Sequence, residues 1–254
     1  MATKRPGAGV QSVQRVFELL EVITDTGGAV TLSELSSTTD LPLPTIHRLL
    51  GTLVALGYVR QLQNRRYVLG PRLIRLGAAA NSQLGSVARS HLEKLVHQLG
   101  ESANMAVLDS DSVIYIAQVP SFHSMRMFTE VGHRAHLHAT GVGKAILAEL
   151  SEERVKEIVN RTGLATPTER SIGNLDQLLS EIRITKERGY SIDDGEQEVG
   201  VRCYAIAIPG AQTPTAISVS GPVSRIDEQF ERRAVPLLRE AAISISEELG
   251  FKRT

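Results

Sequence analysis

Between residues 41 and 56 the chain reads LPLPTIHRLLGTLVAL. Ile46, Leu49, Leu50, Leu53 and Leu56 recur at helical spacing and make one apolar stripe, while Pro44, His47, Arg48 and Gly51 fall opposite. Pro44 suits a first helical turn, where a missing N–H is no loss. The pattern predicts a short helix that buries one side and offers His47 and Arg48, with Thr45 and Thr52, on the other. Upstream, Val13, Val16, Phe17, Leu19, Leu20 and Ile23 predict a helix over 12–24, with Ser12 as N-cap and Thr26-Gly27-Gly28 as its end. Thr31 followed by Glu34 is a capping-box spacing that opens a second helix at LSELSS. Asp40-Leu41-Pro42 is the turn between them, and the third helix stops at Gly57.

Residues 58–70, YVRQLQNRRYVLG, form two β-like runs around Gln63-Asn64-Arg65. This predicts a hairpin whose tip carries Arg65 and Arg66, placed to meet phosphates; a solvated loop is the plain alternative. Helix, turn, helix and basic hairpin follow one another in the order of a winged helix-turn-helix, whose second helix enters a major groove. Residues 71–85 read as a connecting helix along Leu73, Leu76 and Ala80, closed by Gly85. A helix at 86–99 follows, then strands at 102–109 and 112–119 separated by Ser110-Asp111, and further strands at 125–131, 202–209 and 214–221. Helices are expected at 141–149, 151–160, 174–188 and 226–249. The fold class is therefore α+β, with a DNA-binding module at 1–70, a linker helix at 71–85 and a larger second domain at 86–254.

The whole chain balances 28 basic against 28 acidic residues, but residues 1–75 hold nine Lys/Arg against five Asp/Glu, a net of +4. A basic first module beside an acidic second suits a nucleic-acid reader attached to something else. The excess is too small for a structural packer of DNA. A single cysteine, Cys203, excludes an intrachain disulfide framework. No apolar run approaches the roughly 18 residues of a membrane span, and the N-terminus lacks an apolar signal region. A cytoplasmic protein with no membrane partner is expected.

Four features of the second domain could carry chemistry. In LHATGVGKAILAEL, residues 137–150, a strand end meets a helix through glycines, so the N–H groups of Gly141, Val142 and Gly143 offer a seat for a carboxylate. It is not a phosphate loop, because His138 and Ala145 stand where that motif needs Gly and Ser or Thr. An ordinary tight turn is the alternative. In GYSIDDGEQEVGVRCYAIAI, residues 189–208, four acids crowd what reads as a loop before the strand bearing Cys203; paired carboxylates could do acid–base work or bind a cation, but a solvated acidic loop is preferred. In TAISVSG, Ser218 and Ser220 alternate with Ile217 and Val219, so both hydroxyls share one strand face and can orient a polar ligand. His133, His136 and His138 invite a zinc site, but one of them is off the shared strand face and no Cys is near, so no metal and no cofactor are expected. Cys203 as a nucleophile with His138 as base is weighed against a small packed thiol, and the packed thiol is preferred.

These segments resemble the IclR family of bacterial transcriptional regulators, from about Val10 to Leu249. LPLPTIHRLLGTLVALGYV is similar to the family's recognition helix and wing entry; LHATGVGKA is close to its hallmark segment. Gly189, Asp193, Glu196 and Cys203 follow its signature spacing, with AISVSGPVSRI after them. The resemblance implies an N-terminal winged helix, a linker helix and a GAF-like effector domain with an antiparallel sheet. It implies a repressor without enzymatic activity that binds palindromic double-stranded operator DNA as a dimer or tetramer. Thr45, His47, Arg48 and Thr52 would meet the duplex, and Arg65 and Arg66 would grip its backbone. It also implies a small carboxylate effector, glyoxylate-like or a 2-oxo acid, held by Thr140, Gly141, Val142, Asp193, Cys203, Ser218 and Ser220. Two departures stand out. Pro44 replaces a serine found in many members, leaving Thr45 to take over its role, and Ser121-Phe122-His123 lies in a variable loop that would wall the pocket and suit a bulkier ligand. A small-molecule enzyme with an accessory helix-turn-helix is the rival reading.

Overall fold

The protein is described by a computed structural model over residues 10–81, 85–124, 126 and 129–251. It divides into two compact units, Met1–Ala80 and Asn81–Thr254.

In the first unit, α1 (Gln11–Asp25), α2 (Leu32–Thr39) and α3 (Leu43–Ala55) precede a hairpin of β1 (Val59–Gln61) and β2 (Tyr67–Leu69), then α4 (Arg72–Asn81). Leu19 and Ile23 from α1, Leu35 from α2, and Ile46, Leu49, Leu50 and Leu53 from α3 close on Val59 and Tyr67 to form one core. Ser12 lies inside α1, whose N-cap is Val10, so the helix begins before the serine and takes no side-chain cap. The apolar stripe of α3 ends one turn early: Leu56 is the C-cap residue and is exposed. Gly57 follows it with φ 77°, as a residue just past a helix end should. A bridge from Val30 to Tyr67 adds a third extended segment to the hairpin.

The capping box at α2 forms in full. Thr31 Oγ1 accepts from Glu34 N–H at 3.2 Å, and Glu34 Oε2 accepts from Thr31 N–H at 2.6 Å. Asp40, in the left-handed region at φ 53°, then turns the chain from α2 into α3.

In the second unit, α5 (Gly85–Leu99) leads into a six-stranded antiparallel sheet of order β5-β4-β3-β8-β7-β6. Its strands are β3 (Ser102–Asp109), β4 (Ser112–Val119), β5 (Arg134–Ala135), β6 (Ser191–Asp194), β7 (Val201–Ala207) and β8 (Thr215–Pro222). One face carries α5 and α9 (Glu228–Glu248) over Met105, Tyr204, Ile206, Ile217 and Val219. The other carries α6 (Gly141–Ala148), α7 (Glu152–Thr162) and α8 (Leu175–Arg188) over Ala106, Ala205 and Ala216. The small residues on that side let α6 sit close to the sheet.

Three expectations need revision. Gly85 opens α5 rather than closing the linker helix. The strand expected at 125–131 is absent where it falls on described residues, since 129–131 run as loop and turn, and positions 125, 127 and 128 lie outside the described residues. The segment read as an acidic loop contains β6, an edge strand whose short length hides its alternation.

Thr31→Ala should lower the stability of the first unit by about 1 kcal/mol, the usual loss for an N-cap, measured by denaturant unfolding of the full chain. An unchanged midpoint would show that the cap contributes nothing.

Candidate functional site

Two surfaces gather the residues singled out by the sequence. On α3, His47, Arg48 and Thr52 are exposed while Ile46, Leu49, Leu50 and Leu53 are buried, and Thr45 is half-buried at the margin. Thr52 Oγ1 donates back to Arg48 O at 3.1 Å, so its hydroxyl hydrogen is already used within the helix. Thr45 does not cap the helix: the N-cap is Pro42, without a side-chain bond.

At the hairpin tip, Leu62 N–H donates to Arg66 O and Arg65 N–H to Leu62 O. Arg65 is exposed and has φ 64°, the left-handed region that β-carbon-bearing residues enter rarely. Arg66 has a second duty the sequence did not reveal. Its Nη1 donates to Ala29 O at 2.9 Å and lies 3.5 Å from Glu34 Oε2. The wing is thereby tied to the start of α2.

The second surface is a cavity between α6 and the sheet. Pairing register sets Asp193, Cys203, Ser220 and Ser102 in one row across β6, β7, β8 and β3, with Ser191, Ala205, Ser218 and Asn104 in the next. Ile217 and Val219 point into the α5/α9 core, so Ser218 and Ser220 face α6. Thr140, Gly141, Asp193, Cys203, Ser218 and Ser220 all line a cavity of about 30 Å³, joined by Asn104, Tyr115, Thr129 and Gln197. Val142 differs: its side chain is in the α6–α8 core, and what it offers is a first-turn backbone N–H without an intrahelical partner. Thr140 Oγ1 is already engaged, accepting from Gly143 N–H and donating to His136 O.

The close seat of α6 depends on missing β-carbons. A Cβ at Gly143 would stand 2.2 Å from Leu137 O, and one at Gly141 would stand 2.8 Å from Cys203 Sγ. Ser191 Oγ donates to Gly141 O at 2.6 Å and pins the helix start to the sheet edge. The next residue of α6, Lys144, is fully buried and paired with Glu196, with Glu181 at 3.9 Å. Neither Ser191 nor Lys144 was expected from the sequence. Asn104 could have been, because Ser102 and Asn104 alternate with Ala103 and Met105 just as the β8 serines alternate with Ile217 and Val219.

Other candidates resolve differently. His138 Nε2 donates to Ala165 O at 2.7 Å, and burial lowers its pKa. His133 lines an outer cleft of about 340 Å³ that shares Tyr115, Thr129, Gln197 and Glu198 with the inner cavity. Phe122 is exposed, and Ser121 Oγ accepts from His123 N–H beside Gly100 and Ser102, so this loop does not line the cavity. A larger groove along Thr166–Arg170, Val199 and Val223 holds none of the expected effector residues.

Burial pushes the Cys203 thiol up to about 12, so it is a neutral thiol near pH 7 and a poor nucleophile. Burial also pushes Asp193 up to about 6, against the N–H groups of Glu196 and Gln197 that its Oδ1 accepts and against Lys144. Glu196 is raised too, again by burial. The folded Asp193 titrates above its ordinary value of 3.8. Its contribution to stability is therefore full below that value and lost as pH rises through about 6. Asp193→Asn keeps the acceptor for both N–H groups. Its stability should gain on the wild type as pH rises from about 4 to about 6.5, read from thermal midpoints; parallel pH profiles would refute a buried, proton-holding Asp193.

Comparison with known proteins identifies the family. The profile of the IclR helix-turn-helix domain matches residues 12–63, and that of the bacterial transcriptional regulator IclR C-terminal domain matches 77–247. The chain is 38% identical over 260 residues to the transcriptional repressor IclR of Escherichia coli, covering 100% of this chain and 95% of that one. Among solved structures, an IclR transcriptional regulator from Alicyclobacillus acidocaldarius superposes with a TM-score of 0.85 at 28% identity, covering 94% and 99% of the two chains. An IclR homologue from Microbacterium hydrocarbonoxydans, solved with 4-hydroxybenzoate, shares the fold at a TM-score of 0.83 and 24% identity over 95% and 100%. This chain belongs to the IclR family of bacterial transcriptional regulators.

Proposed function

We propose that this regulator is a cytoplasmic repressor that binds operator DNA through α3 and the wing, and that a small carboxylate in the α6 cavity controls its affinity. The single observation that carries the reading is the division of α3. Its aliphatic side is sealed in the core, and His47 and Arg48 stand free on the outside near its N-terminal end. A recognition helix needs that division, because base edges in the major groove are read by the residues that the fold leaves unburied. Arg65 at the tip supplies a backbone contact, and Arg66 holds the wing in place through Ala29 and Glu34.

The acid site is supported by the first-turn amides of α6 beside two serine hydroxyls and a neutral thiol. Helix N-termini favour anions through oriented N–H groups and the helix dipole. Asp193, raised to about 6, takes up a proton more readily than an ordinary carboxyl when an anion arrives, which lowers its repulsion of a carboxylate. The related protein solved with 4-hydroxybenzoate supports an organic acid as the class of ligand. One winged helix makes too few contacts for tight, specific binding, and a self-associated form reading two half-sites supplies the rest. Val10 at the N-cap of α1 and Val13 and Phe17 on it, with Ile74 and Leu76 on α4, leave apolar side chains exposed that self-association would cover. Effector binding favours one quaternary arrangement and shifts operator affinity by a coupling of about 1–3 kcal/mol.

Two substitutions separate base reading from backbone grip. Arg48→Ala should relax sequence preference, with a loss of about 1–3 kcal/mol on the preferred duplex selected from a random library. Arg65→Asn, which keeps a residue tolerant of positive φ, should weaken all duplexes alike and reduce the salt slope by about 0.9 for each phosphate no longer neutralised. Unaltered selection by Arg48→Ala would remove α3 from the duplex.

A further inference from the structure

Asn104 lies on β3 opposite Ser218, 2% exposed, on the wall of the cavity that holds Cys203 and the first turn of α6. Its Nδ2 donates to Ser220 Oγ at 3.1 Å, while its Oδ1 is buried and has no hydrogen-bond partner. Buried polar atoms are nearly always answered. Turning the amide over, with Ser220 donating to Oδ1, leaves Nδ2 in the unanswered place instead. In either setting one polar end of a buried amide waits beside the cavity. A hydroxyl both donates and accepts, so it answers either setting; a methylene answers neither.

The sheet sets how far that hydroxyl lies from the carboxylate. The start of α6 sits over β7, where a Cβ on Gly141 would touch Cys203 and Ala205. Asn104 is on β3, beyond β8, so two strand spacings separate the two ends, roughly 10 Å between backbones. Side chains and hydrogen bonds from each end take up most of that span. With a cavity of only about 30 Å³ between them, a ligand that reaches both ends is short and carries its hydroxyl near the carboxylate.

We propose that Asn104 selects a hydroxyl on the effector, so that the site prefers a short hydroxy acid to its deoxy analogue. The proposal rests on the carboxylate-effector reading above. It is tested by isothermal titration of the full-length protein with matched pairs, glycolate against acetate and lactate against propionate, with glyoxylate alongside. The hydroxylated member of a pair should bind the wild type at least about tenfold more tightly, because the deoxy analogue leaves the amide unanswered. In Asn104→Leu the ratio should fall to about one while the deoxy acid still binds. Asn104→Val, with a side chain suited to a strand, serves if the leucine variant does not fold. Equal binding of the paired acids by the wild type, or an undiminished ratio in the folded variants, would overturn the role of Asn104 and leave the carboxylate site standing. Failure of every acid to bind the wild type would overturn both.

Discussion

The contact between the first turn of α6 and the sheet is the constraint on which the second unit depends. Gly141 and Gly143 are where they are because no side chain fits: Cys203 Sγ and Leu137 O already occupy the space. With the helix so close, its first residue, Gly141, lines the same cavity as Ser218, Ser220 and Cys203, while the Gly143 amide is taken by Thr140 Oγ1. Ser191 and the buried Lys144–Glu196 pair hold the start of α6 in place from the sheet edge and from the segment after β6. Breaking one partner of a buried ion pair is strongly destabilising, so this pair fixes α6 whether or not a ligand is present.

The proposed anion site has acids around it, and their surroundings temper their charge. Asp193 is raised by burial, Glu196 is compensated by Lys144, and Asp194 points away to Arg170 and Arg202. Asp194 and Glu196 are thus charge-paired, and Asp193 takes up a proton more readily than an ordinary carboxyl. The turn that follows β6 is organised by Asp193, which accepts from Glu196 and Gln197 N–H. Thr168 and Ser171 hydroxyls reach the carbonyl of Glu196 from another loop. A ligand that changes the protonation or position of Asp193 would be felt along this chain of contacts.

Much of the DNA-binding unit was legible in the sequence because its periodicity is strong and local. The α3 stripe, the capping box and the glycine stop are each set by residues within one or two turns. The errors there sit at helix ends, at Ser12 and Leu56, where apolar period and burial part company. The cavity was partly legible, since alternation in TAISVSG and the glycines of ATGVGKA both announce a polar face against a helix start. What stayed hidden depends on pairing between distant strands. Ser191 meets the start of α6 only because β6 pairs with β7 at the sheet edge, and Asn104, whose alternation was visible, joins the site only because β3 pairs with β8. Glu196 looked like one of several solvated acids, and its burial against Lys144 follows from a contact 52 residues apart in the chain. Arg66, adjacent to Arg65 and identical in type, turns inward because the turn geometry points the two in different directions.

The most direct test of this account is Gly141→Ala in the full-length protein. A methyl group 2.8 Å from Cys203 Sγ must shift the start of α6 or the thiol, both of which line the cavity, while leaving the first unit untouched. Operator binding in the absence of effector should persist, and small carboxylates should lose their effect on it. A normal carboxylate response in a folded Gly141→Ala protein would contradict the claim that α6 and the sheet together form the effector site.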